Sequence, residues 1–190
     1  ASVADVDLPL APYGIPIYYL VATSEASSNL ARYDGVRYGA RADAPRDLLD
    51  LYARTRGAGF GTEVKRRIVL GTYALSAGYY DQYYGRALAA REVLRRQMDA
   101  LFARLDLLLL PTAPGPAFRL GEKIDDPLAM YLSDVFTVLA NLGGHPAVSV
   151  PAPPLEGALP VGVQLMAARF DEPTLLAGAL ALEAAGFAAG

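Results

Sequence analysis

Residues 59–84, GFGTEVKRRIVLGTYALSAGYYDQYY, set an arginine pair on an apolar helix and then interrupt that helix. Val64, Ile68, Leu70, Tyr73 and Leu75 surround Arg66 and Arg67 with apolar side chains, the pattern of a helix covered on more than one side. Gly78-Tyr79-Tyr80 separates it from the next helix. Successive helical residues point about 100° apart, so Arg66 and Arg67 cannot both enter one pocket. One of them is expected to turn inward, where a guanidinium must meet a carboxylate of the protein or of a ligand. A structural ion pair and a ligand clamp both satisfy that requirement.

Toward the C-terminus, residues 79–105 carry the longest helical signal. Leu94, Met98, Leu101, Phe102 and Leu105 recur at spacings of three and four, a stripe suited to a core or a subunit contact. Leu107 to Pro111 suits a buried strand of the kind found in parallel sheets. The proline- and glycine-rich segment that follows precludes regular structure. Residues 128–142 read as one helix with Asp134 at its centre, among Met130, Tyr131, Val135, Phe136 and Val138. A carboxylate buried there without a partner costs several kcal/mol, so a partner is expected. Gly143-Gly144-His145-Pro146 stops that helix; 147–150 and 161–166 read as strands, and Asp171 with Pro173 opens a last helix that fades at Gly186.

Toward the N-terminus, 5–8 reads as a short strand and 17–21 has strand composition. Thr23 or Ser24 is placed to cap a short helix ending near Asp34-Gly35, and 36–43 looks irregular. Pro45 and Gly57 bracket a further helix. Strands alternating with helices give an α/β class with a mixed β-sheet flanked by helices.

The 190 residues are 53% apolar with a net charge of −3, enough for one good core and unlike the basic footprint of a nucleic-acid binder. Lys65 and Lys123 are the only lysines among 17 basic residues, so a lysine base has two candidates. Without cysteine there is no disulfide or thiolate site, and one histidine argues against a zinc site or a Ser-His-Asp triad. No apolar run is long enough to cross a bilayer, and the absence of cysteine makes a cytoplasmic home the expectation. The chain lacks an initial Met and ASVADVDLPL reads as a strand already under way, so a fragment is expected.

No serine lies in a G-x-S-x-G elbow, and Ser27-Ser28 sits where serines cap or bond to the backbone. His145 reads as a turn residue, Asp125-Asp126 with Glu122 as a helix start, and no phosphate loop or metal set is present. No complete catalytic apparatus emerges. An inward arginine and Asp134, set among tyrosines, would hold a small zwitterion through charge-assisted bonds worth about 1.5–3 kcal/mol each. The two residues would equally pair with each other, and spacing does not separate these readings.

Four stretches carry a family resemblance: SEASSNLARYDGVRYG at 24–39, residues 59–84, LLLLPTAP at 107–114, and DDPLAMYLSDVFTVLANLGGHPAVSVP at 125–151. From about Pro9 to Phe187 the chain resembles the amidase signature family, and within it the A subunits of aspartyl/glutamyl-tRNA amidotransferases. The resemblance implies a mixed β-sheet with helices on both faces. It also implies a catalytic set of a Ser nucleophile, a second Ser in a cis peptide and a Lys, carried partly by a Gly/Ser-rich segment. That set is absent: Gly143-Gly144 is the only glycine pair, and Lys65 and Lys123 lack the family's lysine context. Residues 1–190 therefore read as the C-terminal portion of a single amidase-signature domain, inactive alone.

In such enzymes glutamine is hydrolysed to glutamate and ammonia, which a partner subunit uses to amidate Glu-tRNA(Gln) or Asp-tRNA(Asn). The implied partners are glutamine, the B and C subunits of a heterotrimer, and tRNA reached through the complex. ATP and Mg are implied at the partner subunit, with no cofactor in this chain. The resemblance assigns Tyr18 to the glutamine site, Arg67 to the α-carboxylate and Asp134 to the α-amino group, so it favours the clamp. His145 stands where the family has an aliphatic residue.

Overall fold

The computed structural model describes residues 2–152 and 159–187. They fall into two compact units, one formed by residues 16–89 and the other by residues up to 15 together with those from 90 onward.

The 16–89 unit holds most of helix α1 (Gly14–Leu30), then α2 (Leu48–Gly59), α3 (Thr62–Ala74) and the first turn of α4 (Arg86–Phe102). Residues 17–21 are helical, not extended. Pro16 lies in the first turn of α1, where its missing N–H has no intrahelical partner to lose, so it starts the helix instead of breaking it. Ile17 and Val21, one turn apart, are both buried, and packing overrides a β-rich composition. Thr23 and Ser24 consequently lie inside the helix and cap nothing: the Thr23 hydroxyl donates back to the Tyr19 carbonyl. The second helix starts at Leu48, three residues after Pro45, because Asp47 caps it by accepting from the Asp50 amide at 2.8 Å. The irregular stretch after Gly35 and the break after α3 are as expected.

The other unit is organised on a three-stranded sheet of β1 (Leu107–Pro111), β2 (Ala147–Pro151) and β3 (Gly162–Ala167), in the order β1-β3-β2. Both ladders are antiparallel, with Leu165 opposite Leu109 on one side and Val148 on the other. The run at 107–111 is thus a strand as expected, but it is antiparallel and only partly buried, with Leu109 exposed. Residues 5–8 form no strand. Helix α7 (Glu172–Leu182), capped by Asp171, covers the sheet through Leu175 and Ala179 against Val150, Leu165 and Ala167. In α4 the predicted stripe is the core: Leu94 and Met98 are fully buried, and Leu101 nearly so.

The single helix expected over 128–142 is instead α5 (Pro127–Tyr131), a 3₁₀ turn at Leu132–Asp134 and α6 (Val138–Gly143). The Asp134 carbonyl accepts from both the amide and the hydroxyl of Thr137, each at 3.1 Å, a local turn that competes with helix continuation.

His145 follows α6 as a turn residue, but its ring is buried, stacked 4.7 Å from Phe102. Nδ1 lies 3.0 Å from the Ala167 carbonyl, which can only accept, so Nδ1 carries the proton. Nε2 faces Asp99 at 3.7 Å, while Arg95 and Arg169 each hold the other Asp99 oxygen at 3.1 Å. Burial pushes the imidazole pKa below its ordinary 6.5; the Ala167 bond and Asp99 oppose this, and Arg169 and Arg95 reinforce it. The unfolded chain therefore binds the proton first, and stability is lost as pH falls below about 6.5. Urea midpoints should drop between pH 7.5 and 5.5 in the wild type, with a shallower drop in His145→Leu. Equal pH slopes would contradict this account.

Candidate functional site

Arg66 and Arg67 both emerge at the surface of α3, with side chains 48% and 34% exposed, so neither is the inward arginine expected from the apolar surround. Their long stems lie along the helix while both guanidiniums turn back to Glu63. Arg67 Nε donates to Glu63 Oε1 at 2.9 Å, and Arg66 binds the other carboxylate oxygen. The signal was present in E-x-x-R-R, whose spacings of three and four make Glu63 a helical neighbour of both arginines. The ion pair open from the sequence has formed, with Glu63 as the partner.

Arg67 is set apart from Arg66 by the tyrosines of α1. Its guanidinium carbon lies 5.6 Å from the centroid of the Tyr19 ring, a cation–π contact. Tyr19 packs edge-on against Tyr18 with centroids 5.3 Å apart. The Glu63 hydrogen bond, followed by the electrostatics of Tyr19 and a hydrogen bond with Tyr18, holds the Arg67 pKa above its ordinary value despite partial burial. The site is a permanently charged guanidinium, partly exposed, already holding one carboxylate and backed by two phenols.

What places the tyrosines there is a close approach of two backbones. A Cβ added to Gly71, one turn after Arg67, would lie 2.0 Å from the Thr23 carbonyl oxygen and 2.8 Å from Ser27 Cβ. The Ser27 and Thr72 hydroxyls, 2.9 Å apart, join the helices beside this point. Ser27 thus bonds across to α3 rather than capping a helix.

Asp134 belongs to the other unit. It is exposed, and among the described residues its carboxylate has no hydrogen-bond or ion-pair partner. The expectation of a buried, partnered carboxylate is therefore corrected: solvent spares it the desolvation cost that made a partner necessary. Of the three candidate residues, the structure brings Tyr18 and Arg67 together and sets Asp134 on the sheet-bearing unit. Asp126 caps α5 by accepting from the Ala129 amide at 2.9 Å, as its sequence position suggests. Among the described residues no group of His, Asp and Glu could hold a metal, and no helix is long and apolar enough to cross a membrane.

One cluster was not read from the sequence. Tyr73, Tyr79 and Tyr83 gather at the end of α3, with ring centroids 4.8–5.9 Å apart. Hydrogen bonds with Tyr83 and then Tyr79 push the Tyr73 phenol pKa up to about 12.

The model of the amidase family matches residues 1–176. The chain belongs to the amidase family. It is 56% identical over 185 residues to the A subunit of the glutamyl-tRNA(Gln) amidotransferase of Parvibaculum lavamentivorans, covering 97% of this chain and 37% of that protein. The corresponding protein of Carboxydothermus hydrogenoformans is 57% identical over 179 residues, 94% of this chain and 37% of that one. The crystal structure of the Thermotoga maritima glutamyl-tRNA(Gln) amidotransferase A subunit superposes with a TM-score of 0.65 at 39% identity, over 94% of this chain and 33% of that chain. A solved amidase with 24% identity and a TM-score of 0.71, covering 97% of this chain and 38% of that one, shares the fold. The expected class, helices about a β-sheet in an amidase-signature fold, is thus confirmed. The amidase-family chain spans 37% of the length of these two curated relatives.

Gly71→Ala is expected to destabilise the 16–89 unit by about 1–3 kcal/mol, the range for overpacking a tight contact. Urea denaturation followed by tyrosine fluorescence measures this. A loss below about 0.5 kcal/mol, the level of an ordinary surface change, would show that the contact does not constrain α1.

Proposed function

We propose that the chain is the glutamine-recognising part of a glutaminase subunit that supplies ammonia for tRNA-dependent amidation. The observation that carries this is 56% identity, across 97% of the chain, to the A subunit of a glutamyl-tRNA(Gln) amidotransferase. In this reading Arg67 receives the α-carboxylate of glutamine, Tyr18 lines the site and Asp134 takes the α-ammonium group. A guanidinium has five N–H donors in a planar fork, so it can keep Glu63 on Nε and offer another edge to a ligand carboxylate. The exposed Asp134 carboxylate is suited to an ammonium for the same reason that it is unpaired.

The nucleophile and the lysine of the family's hydrolytic set are supplied by sequence outside these 190 residues. The chain alone is then a binding element without turnover. Ammonia released from glutamine passes to a partner that amidates Glu-tRNA(Gln) or Asp-tRNA(Asn) with ATP and Mg. The partners are the B and C subunits of a cytoplasmic heterotrimer, with tRNA engaged through the complex.

Calorimetric titration of the purified chain tests the reading. L-Glutamine should bind, butanamide, which lacks both charges, should not, and Arg67→Ala should weaken glutamine by about 10- to 100-fold. No ammonia should be released from glutamine. Equal affinities for glutamine and butanamide would favour a general amidase fragment, in keeping with the likeness to a bacterial aryl acylamidase at 26% identity and TM-score 0.67. Unchanged glutamine affinity in Arg67→Ala would remove the clamp.

A further inference from the structure

A cavity of the sheet-bearing unit, about 670 Å³, opens between the 112–118 loop, the start of β3 and the 3₁₀ turn after α5. Its size is that of a small-molecule pocket. The walls are apolar, with Pro114, Pro116, Phe118, Leu132 and Val161 among them, and Lys123 is the only charged residue of the lining. That ammonium is one of only two in the chain. It sits 4.3 Å over the Phe118 ring and donates to Ser133 Oγ at 2.8 Å, and among the described residues it has no carboxylate partner.

The hydrogen-bond directions define what the lysine can do. Ser133 accepts from Lys123 and donates to the Ala129 carbonyl at 3.2 Å, so both partners of its hydroxyl are protein groups. Lys123 acts on Ser133 as a donor, not as a base that would turn the serine into a nucleophile. An ammonium has three N–H groups, and two remain after Ser133 is served. A second polar point comes from Thr112 and Ser149, whose hydroxyls lie 2.7 Å apart in the same lining. One of them donates to the other, so the acceptor keeps its own O–H for a further bond. A Cβ on Gly162 would fall 2.6 Å from Ser149 Oγ and 2.8 Å from Thr112 Oγ1, so the glycine leaves room for this pair.

We propose that this cavity binds a small organic monocarboxylate with an apolar body, its carboxylate received by Lys123 and its body held by the proline, Phe118, Leu132 and Val161 walls. A single ammonium in an otherwise uncharged lining matches one negative charge, whereas a phosphate calls for several cations or a backbone nest. Hydrophobic burial supplies affinity and the charge-assisted bond supplies the selection against neutral analogues.

The experiment is a ¹H–¹⁵N NMR titration of the 190-residue chain with sodium hexanoate and, in parallel, 1-hexanol and hexylamine at matched ionic strength. Hexanoate should shift the amides of Gly115, Ser133 and Gly162 saturably, with the alcohol and the amine weaker by about tenfold or more. Lys123→Met, which keeps the apolar stem, should weaken hexanoate by a similar factor and leave hexanol unchanged. Comparison of the three ligands on the wild-type chain needs no variant, so a misfolded Lys123→Met leaves the test intact. No saturable shift at these amides with hexanoate, or equal binding of hexanoate and hexanol, would overturn the proposal.

Discussion

Within residues 16–89, the surroundings of Arg67 depend on the approach of α1 and α3 at Gly71. Only hydrogen fits between the Gly71 Cα and the Thr23 carbonyl, since any Cβ would lie 2.0 Å from that oxygen. The contact fixes α1 one turn from Arg67, with Tyr18 and Tyr19 just N-terminal to Thr23. A guanidinium on a flexible stem is thereby given an aromatic backing and a phenol partner, while Glu63 on its own helix fixes Nε. Arg66, its neighbour in sequence, shares Glu63 but is the more exposed of the two. The difference between the tyrosine-backed arginine and its more exposed neighbour is thus made by a glycine four residues away.

The sheet-bearing unit rests on ordinary burial, with the polar side chains of His145 and Gln164 inside it. His145 joins the exit of α6 to the end of β3 through its bond to the Ala167 carbonyl, and its other nitrogen looks toward Asp99. Because Asp99 is already held by Arg95 and Arg169, its charge does little to stabilise an imidazolium, and burial decides the protonation state. An aliphatic residue at 145 would give up the Ala167 bond and remove the titration.

Much of the fold was legible because its signals are local. The α4 stripe, the Asp126 and Asp171 caps and the stop at Gly143-Gly144 each follow from a few neighbouring residues, and each stands in the structure. The misreadings share a different cause. Ile17 to Val21 has a composition that fits a buried strand or a buried helix, and only tertiary packing decides between them. The helix over 128–142 was broken by a Thr137–Asp134 turn whose strength depends on geometry rather than on propensity. Strand direction at 107–111 is set by the partner strand and is not written in the run itself. For the site, spacing showed an arginine pair and overlooked Glu63, and the choice of Tyr18, Arg67 and Asp134 as a set came from family resemblance. The amidase relationship supports the family level of that reasoning.

The central claim is that Arg67 is a carboxylate receptor and not just one half of an ion pair with Glu63. The direct measurement is the Nε–Hε resonance of Arg67, assigned by its loss in Arg67→Lys, during titration with L-glutamine and with L-glutamine amide. The two ligands differ only in the α-carboxylate. The account predicts a saturable shift with glutamine and none with the amide; equal shifts with both, or none with either, would contradict it.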